Sequence, residues 1–337
     1  MFKKLIVLVM VTLFCLNGTA FASDEYTENE QKLLDMILHN KSGEARQIIN
    51  KTLETEPTPN LYFLLGKSYE VEGNNKETIN AYKEAVRVKP DFGKAYYNMG
   101  IAYYELKDYQ NALETFESTV QFMPDASSYF NRGNANYKLK KYTKALVDYN
   151  EAIKLDPNEN DYYLNRGNVY ADLKQYNKAI SNYKTILKKD ENNTNALYNL
   201  GVAYRKKHND KKALPCFEKV AELDNEKIGT FYHLGEIYAK EKQFDKAQNS
   251  YERLCELDGG FYYYHYLLGT ALLKKGLTDE ALYEFDSATN LNRYSELPYF
   301  KRANILFQRK EFSNAFSEYI KGIILWLGNI VIKNKFS

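Results

Sequence analysis

Cysteine is scarce: three in 337 residues, with only Cys216 and Cys255 beyond the first 22. A disulfide framework of the kind that staples small secreted folds is excluded, since one bridge at most could form. Histidine occurs four times, as His39, His208, His233 and His265, without zinc-protease spacing or an accompanying Cys-x-x-Cys. There is no Gly-rich phosphate loop and no nucleophile elbow. The expectation is therefore no catalytic residue, no cofactor and no metal. A metal site built from His233, His265 and Cys255 is conceivable on residue type alone and is not expected.

A surplus of charge of one sign is missing too. The chain has 46 basic and 44 acidic residues, and loss of Lys3 and Lys4 with a leader would make the two equal. A general nucleic-acid-binding protein would show a basic excess, so none is expected as partner.

Long apolar runs are few. One, Leu5 to Leu16, follows Lys3 and Lys4 and precedes Ala20-Phe21-Ala22, which places small residues where a signal peptidase reads them. The run is short for a bilayer span, so a secretory signal over 1–22, cleaved after Ala22, is favoured over a retained anchor. That implies a secreted or periplasmic chain with no stable membrane insertion. Phe14 before Cys15 departs from the small residue a lipobox needs, which argues against lipidation. The other run, GIILWLGNIVI from Gly322 to Ile332, holds Trp326, the single tryptophan. Three readings of it stay open: a cap folded back on the last repeat, an exposed docking or self-association face through Ile323, Trp326 and Ile330, or an aberrant end.

What the chain has in abundance is repetition. A glycine with similar neighbours returns at Gly66, Gly100, Gly133, Gly167, Gly201, Gly235 and Gly269, 34 residues apart except for one interval of 33. A period of that size signals one supersecondary unit stacked many times. The small residues allow two antiparallel helices to cross closely, Gly100 or Gly133 from the first and Ala112 or Ala145 from the second. Phe116, Tyr149, Tyr183, Phe217, Tyr251 and Phe285 follow that second small residue by four, on the same helical face. Pro57, Pro90, Pro124 and Pro157 stop second helices. The 31 tyrosines are thus mainly packing.

Tyr96-x2-Met99-Gly100-x2-Tyr103 followed by Ala112-x3-Phe116 and Pro124 resembles the tetratricopeptide repeat family. The resemblance implies an all-α fold, a right-handed α-α superhelix of about eight helix-turn-helix repeats. They start near residues 59, 93, 126, 160, 194, 228, 262 and 296 and fill 59–329. A degenerate capping repeat occupies 23–58, made polar at its start by Asp24, Glu25, Glu28 and Glu30, and a tail occupies 330–337. Cys216 and Cys255 hold the twenty-third and twenty-eighth repeat positions, so two thiols are favoured over a bridge.

By the same resemblance, first helices line a concave groove. Its sixth repeat positions carry Asn98, Asn131, Asn165 and Asn199, its ninth carry Asn134 and Asn168, and its fifth carry aromatics including Tyr97, Phe130, Tyr198 and Tyr232. A row of amides, each offering a donor and an acceptor, suits the backbone of an extended peptide, with rings to grip its side chains. The paired basic residues that clamp a chaperone tail's carboxylate in some family members are missing in register. Lys206, Lys240 and Lys274 share the thirteenth position, as a basic rim or as solvated surface. The expected function is a non-catalytic scaffold or adaptor binding an extended segment of a partner protein. The alternative is a structural component of an envelope or secretion assembly, engaged through the apolar C-terminal end.

Overall fold

Short polar residues open the helices. Thr58, Asp125 and Asn193 each accept a hydrogen bond from the backbone N–H three residues on, as do Asn74, Asp108 and Asn209 before second helices. Between the helices of a pair the chain turns through one left-handed residue. Glycine fills that place at Gly73 and Gly276, but Asn40, Lys107, Lys140, Lys174, His208, Lys242 and Lys310 fill it elsewhere, with φ of 57–66°. The turn at Lys107 is held by Asp108 N–H donating to the Tyr103 carbonyl at 3.0 Å, which closes the end of the helix.

The computed structural model describes residues 26–335, so the expected signal segment and the acids Asp24 and Glu25 lie outside the described residues. Eighteen helices and no strand occur among them. In chain order these are α1 (Glu28–Leu38), α2 (Ser42–Leu53), α3 (Pro59–Glu70), α4 (Asn75–Val88), α5 (Gly93–Glu105), α6 (Tyr109–Phe122), α7 (Ala126–Lys138), α8 (Tyr142–Leu155) and α9 (Asn160–Asp172). There follow α10 (Tyr176–Leu187), α11 (Thr194–Lys206), α12 (Asp210–Leu223), α13 (Ile228–Lys240), α14 (Phe244–Leu257), α15 (Tyr262–Lys275), α16 (Thr278–Leu291), α17 (Glu296–Gln308) and α18 (Phe312–Lys335). Two compact units result, one ending at Leu155 and the next beginning at Asp156.

In the first unit each odd-numbered helix packs on the even-numbered one after it. The contact is as close as the small residues imply: a Cβ built on Gly100 would meet the Phe116 ring at 2.5 Å, and one on Gly133 would meet Tyr149 at 2.8 Å. Both rings are 1% exposed or less, so neither could swing away. The N-terminal pair α1 and α2 buries Leu33, Ile37, Ala45 and Ile49 against Leu61 and Leu64 of α3. Glu30 departs from expectation here. It is 7% exposed, because it closes a capping box in which Thr27 N–H donates to its carboxylate at 2.8 Å and its own N–H donates to Thr27 Oγ1.

The second unit repeats the scheme from α9 to α18, and its largest cluster gathers Phe217, Tyr251 and Phe285 with Leu234, Ile237, Leu254, Leu268 and Ile305. Each such ring removed from water contributes about 2–3 kcal/mol. Pro215 lies inside α12, which keeps a length of 14 residues. Cys216 and Cys255 are free thiols, the first buried and the second half-buried.

The C-terminal run does not fold back. It continues α18, whose 24 residues carry the helix past the boundary expected between 329 and 330. One face lies on α17: Gly322 is buried against the Phe300 ring, and Asn329 donates to Glu296 at 2.9 Å. The other leaves Phe316, Ile323, Ile324, Trp326, Leu327 and Ile330 exposed. No described helix is long and apolar enough to cross a membrane.

Candidate functional site

The ladder asparagines are half-buried on first helices in both units. In the first unit the Asn131 amide donates to the Tyr97 hydroxyl at 3.0 Å and to the Ser127 carbonyl at 3.0 Å, tying α7 to α5. The Asn98 amide donates to the Lys94 carbonyl at 2.9 Å, and its oxygen receives a long contact from Lys67. In the second unit Asn199 on α11 donates to the Asn168 oxygen on α9 at 3.0 Å. Asn165 stands on the same face of α9. The picture of each amide offering donor and acceptor alike needs correction. Neighbouring groups hold the N–H side of Asn131 and Asn199 and leave the carbonyl oxygen to accept, whereas the Asn98 oxygen is already met by Lys67.

Asn134 and Asn168 need a larger correction. Rather than widening a polar track, they accept from buried phenols: Tyr149 OH to Asn134 at 2.8 Å and Tyr183 OH to Asn168 at 2.9 Å. The last repeat does the same with Tyr319 and Asn304. Where the second helix supplies a phenylalanine instead, at Phe116, Phe217 and Phe285, the ninth position is Ile101, Val202 or Thr270. A buried hydroxyl needs a partner and a phenyl ring does not, which explains the asparagine in these three repeats; Tyr82 donates instead to Glu70 at 2.6 Å. That pairing was readable in the sequence and was missed.

The fifth-position rings are half-buried and lean on the core. Tyr97 meets Phe116 edge-on with centroids 6.5 Å apart, Phe130 meets Tyr149 at 5.8 Å, and Tyr198 meets Phe217 at 5.8 Å. Tyr232 packs edge-on against His233 at 5.5 Å. They are thereby stiffened, with part of each ring left to solvent. The basic rim is partly neutralised, because Lys240 pairs with Asp210 at 2.6 Å.

His233 sits among these rings, 4.7 Å from Phe217, and its Nδ1 receives a hydrogen bond from Arg205 at 2.8 Å. A nitrogen that accepts from a guanidinium must carry its lone pair, so the ring is neutral. Burial, reinforced by Arg205 and Lys206, accordingly holds it down at about 4, against 6.5 in the open chain. With the folded value depressed, the unfolded chain binds the proton first as pH falls, and stability is lost between about 6.5 and 4. The loss is roughly 2 kcal/mol once partial exposure is allowed for. A pH series of urea midpoints should show this slope, and His233→Phe, which keeps a ring on Phe217, should flatten it.

Tetratricopeptide repeat models match residues 93–125, 126–159, 194–226 and 228–260, and a related model of the same repeat matches 66–107 and 167–208. Together they take in more than half of the chain. The chain belongs to the tetratricopeptide repeat family. Among curated relatives, it is 37% identical over 60 residues to a probable UDP-N-acetylglucosamine–peptide N-acetylglucosaminyltransferase, SPINDLY, of Oryza sativa subsp. japonica; the match covers 18% of this chain and 6% of that protein. It is 30% identical over 83 residues to small glutamine-rich tetratricopeptide repeat-containing protein 2 of Mycosarcoma maydis, covering 24% of each. The chain thus spans a small part of either relative. Among solved structures, the C-terminal part of a TPR repeat-containing protein from Cytophaga hutchinsonii superposes with a TM-score of 0.58 at 20% identity, over 68% of this chain and 95% of that one. This likeness is one of fold.

Proposed function

We propose that this chain is a non-catalytic adaptor of the extracytoplasmic space, secreted or periplasmic, which holds an extended segment of a partner protein along its first helices. The observation that carries the reading is the fixed orientation of Asn131 and Asn199. Each amide is locked by a neighbouring first helix with its carbonyl oxygen left to accept, beside rings already stiffened by the core. Acceptors held in this way suit the N–H groups of an extended backbone, whatever its side chains. Preorganisation lowers the ordering cost of binding, so about 1 kcal/mol per hydrogen bond is retained.

The test is crosslinked capture from the native extracytoplasmic fraction, comparing the parent with the variant Asn98→Ala, Asn131→Ala, Asn165→Ala and Asn199→Ala. The variant should bind the captured partner at least tenfold more weakly, with unchanged circular dichroism. Equal capture by both would sink the reading.

One observation favours a second reading, an assembly component engaged through α18. Its outward face leaves Ile324 at 63% and Trp326 at 48% exposure. Ile324→Glu with Trp326→Glu would release a partner held there and leave groove binding untouched.

A further inference from the structure

Cys255 near the end of α14, His265 on α15 and Glu284 on α16 converge on one point. One ligand atom from each lies within 4.8 Å of those of the other two, and all three are half-buried. Neither the histidine nor the cysteine is found at the same repeat position elsewhere in this chain. The fourth repeat position, where His265 stands, is otherwise Tyr62, Tyr96, Tyr129, Tyr163, Leu197, Phe231 or Tyr299. The twenty-eighth, where Cys255 stands, is otherwise Val86, Val120, Ile153, Leu187, Ala221, Thr289 or Ile323. Glu284 shares the twenty-third position with Asp148 and Glu318, and each of those faces an arginine seven residues into its own repeat, Arg132 and Arg302. In the seventh repeat Leu268 occupies the arginine's place, and Glu284 turns to His265 instead.

The imidazole is flanked by acceptors at both nitrogens. Nδ1 lies 2.7 Å from the Glu284 carboxylate, and Nε2 lies 3.2 Å from the Gly259 carbonyl. Such a ring is satisfied either as imidazolium or with one N–H and a metal ion. Donation from Nε2 to a backbone carbonyl is the usual way a ligating histidine is held, and it leaves the Nδ1 lone pair toward Glu284. An imidazolium–carboxylate pair has no use for a thiol beside it, whereas a zinc ion does.

We propose that Cys255, His265 Nδ1 and Glu284 bind one zinc ion across the three helices, with a fourth position open to water. A tetrahedral ion with bonds of about 2.0–2.3 Å spaces its ligand atoms about 3.4–3.6 Å apart. Side-chain rotations that widen the histidine–carboxylate contact and draw in the sulfur would reach this. The thiol binds as thiolate and gives its proton to solvent. Without a cation, burial followed by Glu284, Glu252 and Glu256 pushes that thiol up to about 12. The same negative surroundings attract a dication and make Cys255 a poor free nucleophile. Glu284 escaped the sequence reading because its role follows from the missing arginine at position 268, and His233, considered with His265 and Cys255 there, is instead held by Arg205.

Cobalt titration of the reduced full chain tests the proposal. One equivalent should produce a thiolate-to-cobalt absorption band that zinc abolishes. Cys255→Ser should remove the band, Glu284→Gln should weaken binding about tenfold or more, and Cys216→Ser should change nothing. Should Cys255→Ser fail to fold, the Cys216→Ser chain provides a second readout: zinc should slow alkylation of Cys255 at least tenfold. Absence of a thiolate band, its persistence in Cys255→Ser, or alkylation indifferent to zinc would each overturn the assignment.

Discussion

Replacing Arg132 by alanine should cost about 3–5 kcal/mol of stability, far more than an ordinary surface ion pair is worth. The reason is its partner. Asp148 has a side chain only 3% exposed, and Arg132 donates to its Oδ1 through Nε at 3.0 Å and Nη2 at 2.5 Å. Asn136 donates to the other oxygen at 2.9 Å, which explains why asparagine stands where most repeats have tyrosine. Without the guanidinium, a neutral amide is left facing a buried carboxylate it cannot neutralise. Urea unfolding followed by circular dichroism should show the loss, and hydrogen exchange should place it in α7 and α8. Asp148→Asn added to Arg132→Ala should recover much of it by removing the stranded charge. In the second unit the equivalent Arg166 donates to the neutral amide oxygen of Asn182 at 2.9 Å, so no carboxylate is stranded at that position. A loss under about 1 kcal/mol for Arg132→Ala would mean that water reaches Asp148.

The close crossings were legible because glycine and alanine permit what no larger residue does, and the rings against them were legible from helical spacing. Gly100 with Phe116 and Gly133 with Tyr149 are placed as that reasoning implies. The left-handed turns at Lys107, Lys140 and Lys174 were not legible, since a lysine does not announce a positive φ; closure of the helix end imposes it. The surroundings of the candidate site residues were half legible. The ladder positions stand on first helices, but the direction of the Asn131 and Asn199 amides depends on groups 31–34 residues away, Tyr97 and Asn168 respectively. A pattern read one repeat at a time carries no such information. The polar character of Asn134 and Asn168 was read as outward-facing, whereas its origin is the buried hydroxyl one helix behind.

Phe217→Ala should be comparably damaging, at about 3–5 kcal/mol, and its effect should extend to the candidate site. The ring is 0% exposed and lies against Gly201, where a built Cβ would come within 2.8 Å. Truncation opens a cavity at a helix crossing whose spacing is fixed by the rest of the cluster, so collapse is limited and the cavity term adds to the lost burial. Tyr198 and His233 both rest on this ring, with centroids 5.8 and 4.7 Å away. Without it, Tyr198 gains rotational freedom and His233 gains solvent. The variant should therefore show a weaker acid slope between pH 6.5 and 4 as well as a lower urea midpoint. Phe217→Leu, nearer in volume, should cost roughly 1.5 kcal/mol or less and keep the acid slope. If the alanine variant lost stability with its pH dependence intact, burial of His233 would have to come from Arg205 and its neighbours rather than from the core ring.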